Sequence, residues 1–201
     1  MSALKNGQQL STHSGLTITV DGLPLGEGGQ GTVYRVTSTA GDAYALKWYH
    51  RPHPNTLVGY EEQRAVLKGG SGLALALVDR SPPDHRFLWP KDYVELDLRD
   101  AQGPYIGYGY LMDLRPPHYA SIEDLVLGRV RFPKSQSGPY RTLCTAAMGI
   151  ADAFRTLHLH GLCYKDINYG GPFFNPSNGD VLICDNDNVR VNKTPGIVYY
   201  Q

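Results

Sequence analysis

The chain has 201 residues, 41% hydrophobic and 19% charged, which is enough apolar side chain for a buried core and excludes wholesale disorder. Nineteen Lys and Arg balance nineteen Asp and Glu, so the formal charge is zero and the basic excess of a protein that grips nucleic acid by its phosphates is missing. No apolar run reaches the length of a membrane span, and the polar start MSALKNGQQLSTHSG lacks the apolar stretch of a secretory signal. Cys144, Cys163 and Cys184 are widely spaced with no CxxC, which argues against a disulfide framework or zinc site and fits a reducing cytoplasm.

Residues 1–14 read as a loose polar extension. LTITV (16–20) alternates, with Leu16, Ile18 and Val20 on one face, and predicts a half-buried strand ended by a turn at Asp21-Gly22. After a glycine cluster at 26–31, TVYRVT (32–37) and AYALKWY (43–49) predict two further strands of an antiparallel meander. TLVGYEEQRAVLK (56–68) is rich in helix formers and is stopped by Gly69-Gly70. YVELDL (93–98) and YIGYGYLMDL (105–114) predict two more strands, and Arg115-Pro116-Pro117 ends that sheet.

The second half reads as helical. Ser121 to Asp124 has the form of a capping box. Residues 139–160 carry Leu143, Ala147, Ile150, Phe154 and Leu157 in a single stripe, with Gly161 as the C′ residue. Short strands at 172–175 and 181–184 flank a turn at PSNGD. The expected class is α+β: a β-rich lobe over 15–114 with one main helix, then an α-rich lobe over 115–201.

Two features carry chemistry on their own. GEGGQGTV (26–33) fits G-x-G-x-x-G-x-V, and the residues after it read as a strand rather than a helix. A glycine loop between antiparallel strands can lie over phosphates as a flap, its backbone N–H groups unshielded by Cβ atoms; a plain flexible hairpin would use the same residues. Lys47 shares a strand face with Ala45, between Leu46 and Trp48, and a lysine in so apolar a strand needs an anion. Glu61 and Glu62 on the next helix can supply a carboxylate. Glu62 is the preferred partner, because Val66 at i+4 then faces the core.

A glycine flap, a strand ending in A-x-K and a helix with a glutamate resemble the N-lobe signature of the eukaryotic-type (Hanks-type) protein kinases. The C-lobe motifs come in order. Tyr164-Lys165-Asp166-Ile167-Asn168-Tyr169-Gly170-Gly171 stands in the place of H-R-D-L-x-x-x-N, and Asp185-Asn186-Asp187 in the place of D-F-G. GYLMDL (109–114) is similar to the strand entering the kinase hinge. FLWP, GLCYKDI and CDNDNV resemble a bacterial branch whose genes often cluster with von Willebrand A and metal-dependent phosphatase proteins.

The resemblance implies a bilobal kinase fold with an incomplete C-lobe, ATP and Mg²⁺ as cofactors, and γ-phosphoryl transfer to Ser or Thr hydroxyls of a protein substrate. The loop Gly26, Glu27, Gly28, Gly29, Gln30 and Gly31, with Val33, Ala45 and Lys47, would hold the nucleotide. Met112 would be gatekeeper, and Asp113 and Leu114 would face adenine. Asp166 would accept the substrate proton, Asp185 would hold Mg²⁺, and Lys47 would pair with Glu62.

The departures matter as much. Tyr164 replaces histidine and Lys165 arginine, the phenylalanine slot holds Asn186, and the metal-binding asparagine falls on Gly171. Asn168, at the position where many such kinases carry lysine, would be the substitute contact to phosphate or metal. There is no A-P-E motif; ThrProGly (194–196) resembles the end of a short activation segment. The implied alternative to an impaired kinase is a pseudokinase acting as a nucleotide-binding regulatory or interaction module, with a small-molecule kinase as a third reading. His50 and His53 sit among prolines and read as surface residues.

Overall fold

A computed structural model describes residues 4–51, 61, 64–65, 77–101, 103–134 and 138–191. The described residues fall into two units. The first runs to Arg80 and resumes over Pro90–Leu114; the second takes Ser81–Trp89 and the chain from Arg115 onward. The segment 81–89, which the sequence placed in the N-terminal lobe, therefore belongs to the second unit.

The first unit is one six-stranded antiparallel sheet. Its strands are β1 (Gln9–Ser11), β2 (Thr17–Glu27), β3 (Gly31–Ser38), β4 (Ala43–Tyr49), β5 (Asp92–Asp100) and β6 (Gly103–Asp113), in the order β1-β2-β3-β4-β6-β5. The loose extension expected at 1–14 is corrected: β1 pairs with β2, and Leu4 and Leu10 are buried in the core. A bridge between Thr12 and Val94, with the His13 N–H donating to the Tyr93 carbonyl at 2.8 Å, joins the two edges, so the sheet curls to closure. Joining the edges also removes the template that an open edge strand offers to other chains.

Alternation fills the inside. Leu10, Ile18, Val20, Tyr34, Val36, Leu46, Trp48, Val94 and Leu111 form one buried cluster. The sequence YIGYGYL at 105–111 is shaped by it. A Cβ on Gly107 would lie 2.7 Å from the Trp48 ring, and one on Gly109 would lie 2.9 Å from it, so glycine makes room for the indole while Tyr108 and Tyr110 point to the other face. The turn expected at Asp21-Gly22 is a bulge. Pairing runs to Asp21↔Arg35 and resumes at Gly26↔Val33, so residues 22–25 stand opposite Tyr34 alone and leave Leu23 and Leu25 exposed. Of the helix expected at 56–68, Glu61, Arg64 and Ala65 are described, and they are helical.

The second unit is mixed rather than simply helical. It contains β7 (Ala120–Ser121), α1 (Ile122–Val126), α2 (Gly138–Leu159), β8 (Leu162–Tyr164), β9 (Pro172–Phe174), β10 (Val181–Ile183) and β11 (Val189–Val191). The sheets are β10-β9-β7 and β11-β8. Ser121 caps α1, its Oγ accepting the Asp124 N–H at 2.9 Å and donating to the Asp124 carboxylate at 2.8 Å. Gly161 comes just after α2 with φ +71°. The fully buried residues of α2 are Thr142, Ala146, Ala153 and Leu157; of the expected stripe, Leu157 is buried, Leu143, Ile150 and Phe154 are half-buried, and Ala147 is exposed. Small residues line the contact because the hairpin packs closely: a Cβ on Gly149 would lie 3.1 Å from Val181, and one on Gly179 would lie 2.7 Å from the Thr142 carbonyl. Among the described residues no helix is long and apolar enough to cross a membrane.

Candidate functional site

In the first unit the register gathers the predicted positions on one face. Gly26 pairs with Val33, Val33 with Lys47, and Lys47 with Tyr110; in the next row Ala45 pairs with Met112. Side chains two apart share a face, so Ala45, Lys47 and Tyr49 lie opposite Leu46 and Trp48. Lys47 is only 6% exposed, and its Nζ lies 5.5 Å from the centre of the Tyr49 ring. Tyr49 in turn stacks on Tyr108 at 4.4 Å. A buried ammonium beside aromatic faces is held partly by their electron-rich surfaces.

The lysine's proposed partner, Glu62, lies outside the described residues. Glu61, the other candidate, pairs its carboxylate with Arg64 at 2.8 Å. Arg64 also reaches Glu95 at 3.7 Å. Glu95 shares the face of Lys47, because it stands in register with Tyr108; within the alternating strand YVELDL it carried no separate signal. Met112 is buried, and Leu114 is half-buried. Asp113 is exposed and ion-paired with Lys91 at 2.6 Å.

The glycine loop is a tight hairpin. Glu27 pairs with Thr32, and the Gly28 N–H donates to the Gly31 carbonyl at 2.9 Å. Its glycines divide into two kinds. A Cβ on Gly31 would lie 2.5 Å from the Trp48 carbonyl, so the sheet itself demands glycine there. Gly26 and Gly29 would meet nothing within 4 Å, Gly28 would meet the Gly31 carbonyl only at 4.0 Å, and none of the three has a left-handed φ. Packing does not require these three glycines, and without Cβ atoms the backbone here is one that an anion could approach closely. His50, expected at the surface, is half-buried and touches this hairpin.

In the second unit Tyr164 ends β8, with Asp166 two residues on. Asp166 is half-buried and accepts from Asn188 Nδ2 at 3.5 Å. Asp185, just beyond β10, lies in the left-handed region, φ 53° and ψ 38°, as the one non-glycine residue with positive φ among those described. Such a conformation costs about 1 kcal/mol or more and persists where its surroundings impose it. Those surroundings are tight. Asn186 is fully buried, its Nδ2 donating to the Leu88 and Ile183 carbonyls at 2.9 and 2.8 Å. The slot that holds phenylalanine in the resembled kinases thus holds a pinned amide.

Tyr164 and Gly171 meet directly. The Tyr164 hydroxyl donates to the Cys184 carbonyl at 2.6 Å, and the Cys184 N–H donates to the Gly171 carbonyl at 2.8 Å. A Cβ on Gly171 would lie 2.8 Å from that hydroxyl oxygen. The tyrosine in the histidine position fills the space where an asparagine at 171 would begin. Burial, reinforced by the charges of Asp185, Asp187 and Asp166, holds the phenol well above its ordinary pKa. Each departure was visible in the sequence; their contact was not, since it depends on how β8 and β10 lie together.

Asn168, the proposed substitute contact, spends its side chain locally. Its Oδ1 accepts the Gly170 N–H at 2.8 Å, and its Nδ2 points to the Asp166 carbonyl at 3.4 Å. Among the described residues no three of His, Cys, Asp and Glu are grouped to hold a metal. A hard cation held by Asp185 would therefore need phosphate oxygens and water to complete its coordination.

No family model matches the chain, and no curated protein matches it. Solved structures do. One is the kinase domain of a specific rhoptry antigen from Toxoplasma gondii, at 15% identity and TM-score 0.62, covering 96% of this chain and 57% of that one. Another is ROP2 from Toxoplasma gondii, described as a virulence factor with a protein-kinase fold and no enzymatic activity. It matches at 15% identity and TM-score 0.59, covering 98% of this chain and 58% of that one. The chain thus has a protein-kinase-like fold and spans less than two thirds of the length of these relatives in structure.

Proposed function

We propose that the chain is a kinase-fold nucleotide-binding module of pseudokinase type, which takes ATP or ADP and transfers phosphate far more slowly than an ordinary protein kinase. The observation that carries this reading is the contact between the Tyr164 hydroxyl and the Cβ position of residue 171, which closes the place of a metal-binding asparagine. Binding is supported separately, by three glycines that packing does not require and by the buried Lys47. ATP would bring phosphates to the loop 26–31 and to Lys47, with adenine against Asp113 and Leu114. Mg²⁺, when bound on Asp185, would neutralise phosphate charge.

That one relative in structure is described as lacking enzymatic activity fits the reading. Retention of Asp166 and Asp185 supports a second reading, a slow Ser/Thr kinase, with Asp166 as the base for the substrate hydroxyl. Assignment to a bacterial branch rests on FLWP, GLCYKDI and CDNDNV alone. The test is nucleotide-dependent thermal stabilisation, measured with and without Mg²⁺ and beside phosphate transfer to a generic protein substrate. Stabilisation by ATP with transfer far below ordinary kinase rates supports the proposal. Absence of stabilisation at saturating ATP contradicts it.

A further inference from the structure

Gly28 and Gly29, which packing does not require, leave the tip of the hairpin with conformational freedom, and ordering it around an anion costs entropy. The loop also carries its own obstacle. Glu27 is the one acidic residue in 26–33, and its negative charge sits where a phosphate would have to approach.

One side chain answers both problems. His50, the first residue after β4, donates its backbone N–H to the Gln30 carbonyl at 3.0 Å. Its ring Nε2 lies 3.0 Å from Thr32 Oγ1 and 3.7 Å from the Glu27 carboxylate. Glu27 and Thr32 face each other across the two arms of the hairpin, so a single imidazole touches both. The ring is 28% exposed and Glu27 is 65% exposed, so solvent screens the pair and its effect is modest.

We propose that His50 is a positioning residue for the glycine hairpin: it ties the two arms together and draws the Glu27 carboxylate to itself, leaving the tip of the loop beyond the Gly28–Gly31 bond open to a nucleoside di- or triphosphate. The ligand half of this inference rests on the nucleotide reading above; the tethering half does not. In this role His50 matters in proportion to the negative charge of the ligand, and only while Glu27 is present.

The variants are His50→Ala, His50→Gln, Glu27→Gln and the double change of His50→Ala with Glu27→Gln. In the nucleotide-free protein, amide exchange at residues 28–31 should quicken roughly 1.5-fold to fivefold in His50→Ala, the range one partly exposed pair supplies. The rest of β2–β4 should be unchanged, and His50→Gln, which keeps an N–H donor, should restore part of the protection. By calorimetry, His50→Ala should weaken ATP by a similar factor, ADP by less and adenosine not at all, and the loss should vanish in the Glu27→Gln background. Unchanged exchange in His50→Ala overturns the tether. Equal losses for ATP and adenosine, or a loss that persists without Glu27, overturn the charge role. If the unmodified protein binds no nucleotide, the nucleotide reading and the charge role fall together, and the exchange result alone decides the tether.

Discussion

Replacing Gly171 by asparagine, the residue expected of an active kinase at that position, should damage the fold rather than repair a metal site. The new Cβ would begin 2.8 Å from the Tyr164 hydroxyl oxygen, well inside the 3.4–4 Å of ordinary contact. The phenol cannot yield cheaply. Tyr164 is 6% exposed, donates to Cys184 and packs edge-on against Phe154 at 5.5 Å. Stranding a buried hydroxyl and its acceptor costs about 1–3 kcal/mol, and crowding adds about the same, so Gly171→Asn should lose about 2–6 kcal/mol. For a chain of this size each kcal/mol lowers Tm by roughly 2–4 °C. Tyr164→Phe removes the obstructing atom and leaves Cζ 3.6 Å from the Cβ position. Alone it should cost about 1–2 kcal/mol for the lost hydrogen bond. The double variant should then be more stable than the sum of the two losses predicts, by about 1–3 kcal/mol. Urea titration monitored by circular dichroism and by tryptophan fluorescence measures this, with Trp48 buried in one unit and Trp89 in the other. A Gly171→Asn variant as stable as the parent, or strict additivity in the double variant, would mean that the phenol does not block position 171.

Three other outcomes rest on the same geometry. Leu10→Ala should cost about 2–4 kcal/mol, because the residue lies 3% exposed in the core of the closed sheet; a surface-like effect on the urea midpoint would mean that β1 is not docked. Arg86 bonds the Gly149 carbonyl, Asp84 and Asp152, so Arg86→Ala should loosen segment 81–89 and cost about 1–3 kcal/mol. Burial pushes the Asp84 carboxyl upward, but hydrogen bonds and charge from Arg86 outweigh it and hold the pKa below the usual value. That stabilisation is present above the unfolded pKa of about 3.9 and fades as pH falls through the lower folded value; Arg86→Ala should flatten the acid limb of a stability–pH curve. For Tyr164 the sign is opposite: with its folded pKa raised, stability is full below the unfolded pKa of about 10 and falls at higher pH, a loss Tyr164→Phe should remove.

Local signals were legible where one face of an element decided its residues. The alternation of TVYRVT and AYALKWY located β3 and β4, and Gly161 marked the end of α2. β1 was not legible, because QLS offers a single buried side chain and owes its place to pairing with β2 and to the Thr12–Val94 bridge. β8 and β11, three residues each, are too short to carry a period and are defined by each other. On α2 the closest approach to the β9–β10 hairpin falls on small residues, which is why Ala146 rather than Ala147 is buried, a matter of contact distance that hydrophobicity does not encode. At the candidate site the residue types could be read in order. The Tyr164–Gly171 contact and the reach of His50 across the hairpin needed the fold.

Nucleotide binding without ordinary kinase turnover is best tested by single-turnover phosphate transfer at saturating Mg·ATP. Occupancy should be verified by thermal stabilisation, with Lys47→Ala as the variant expected to lose binding. The parent chain should show a clear rise in melting temperature and transfer well below the roughly 1–100 s⁻¹ typical of kinases, with Asp185→Ala abolishing what remains. Turnover within that range by the unmodified protein, or no stabilisation by ATP at all, would contradict the pseudokinase reading.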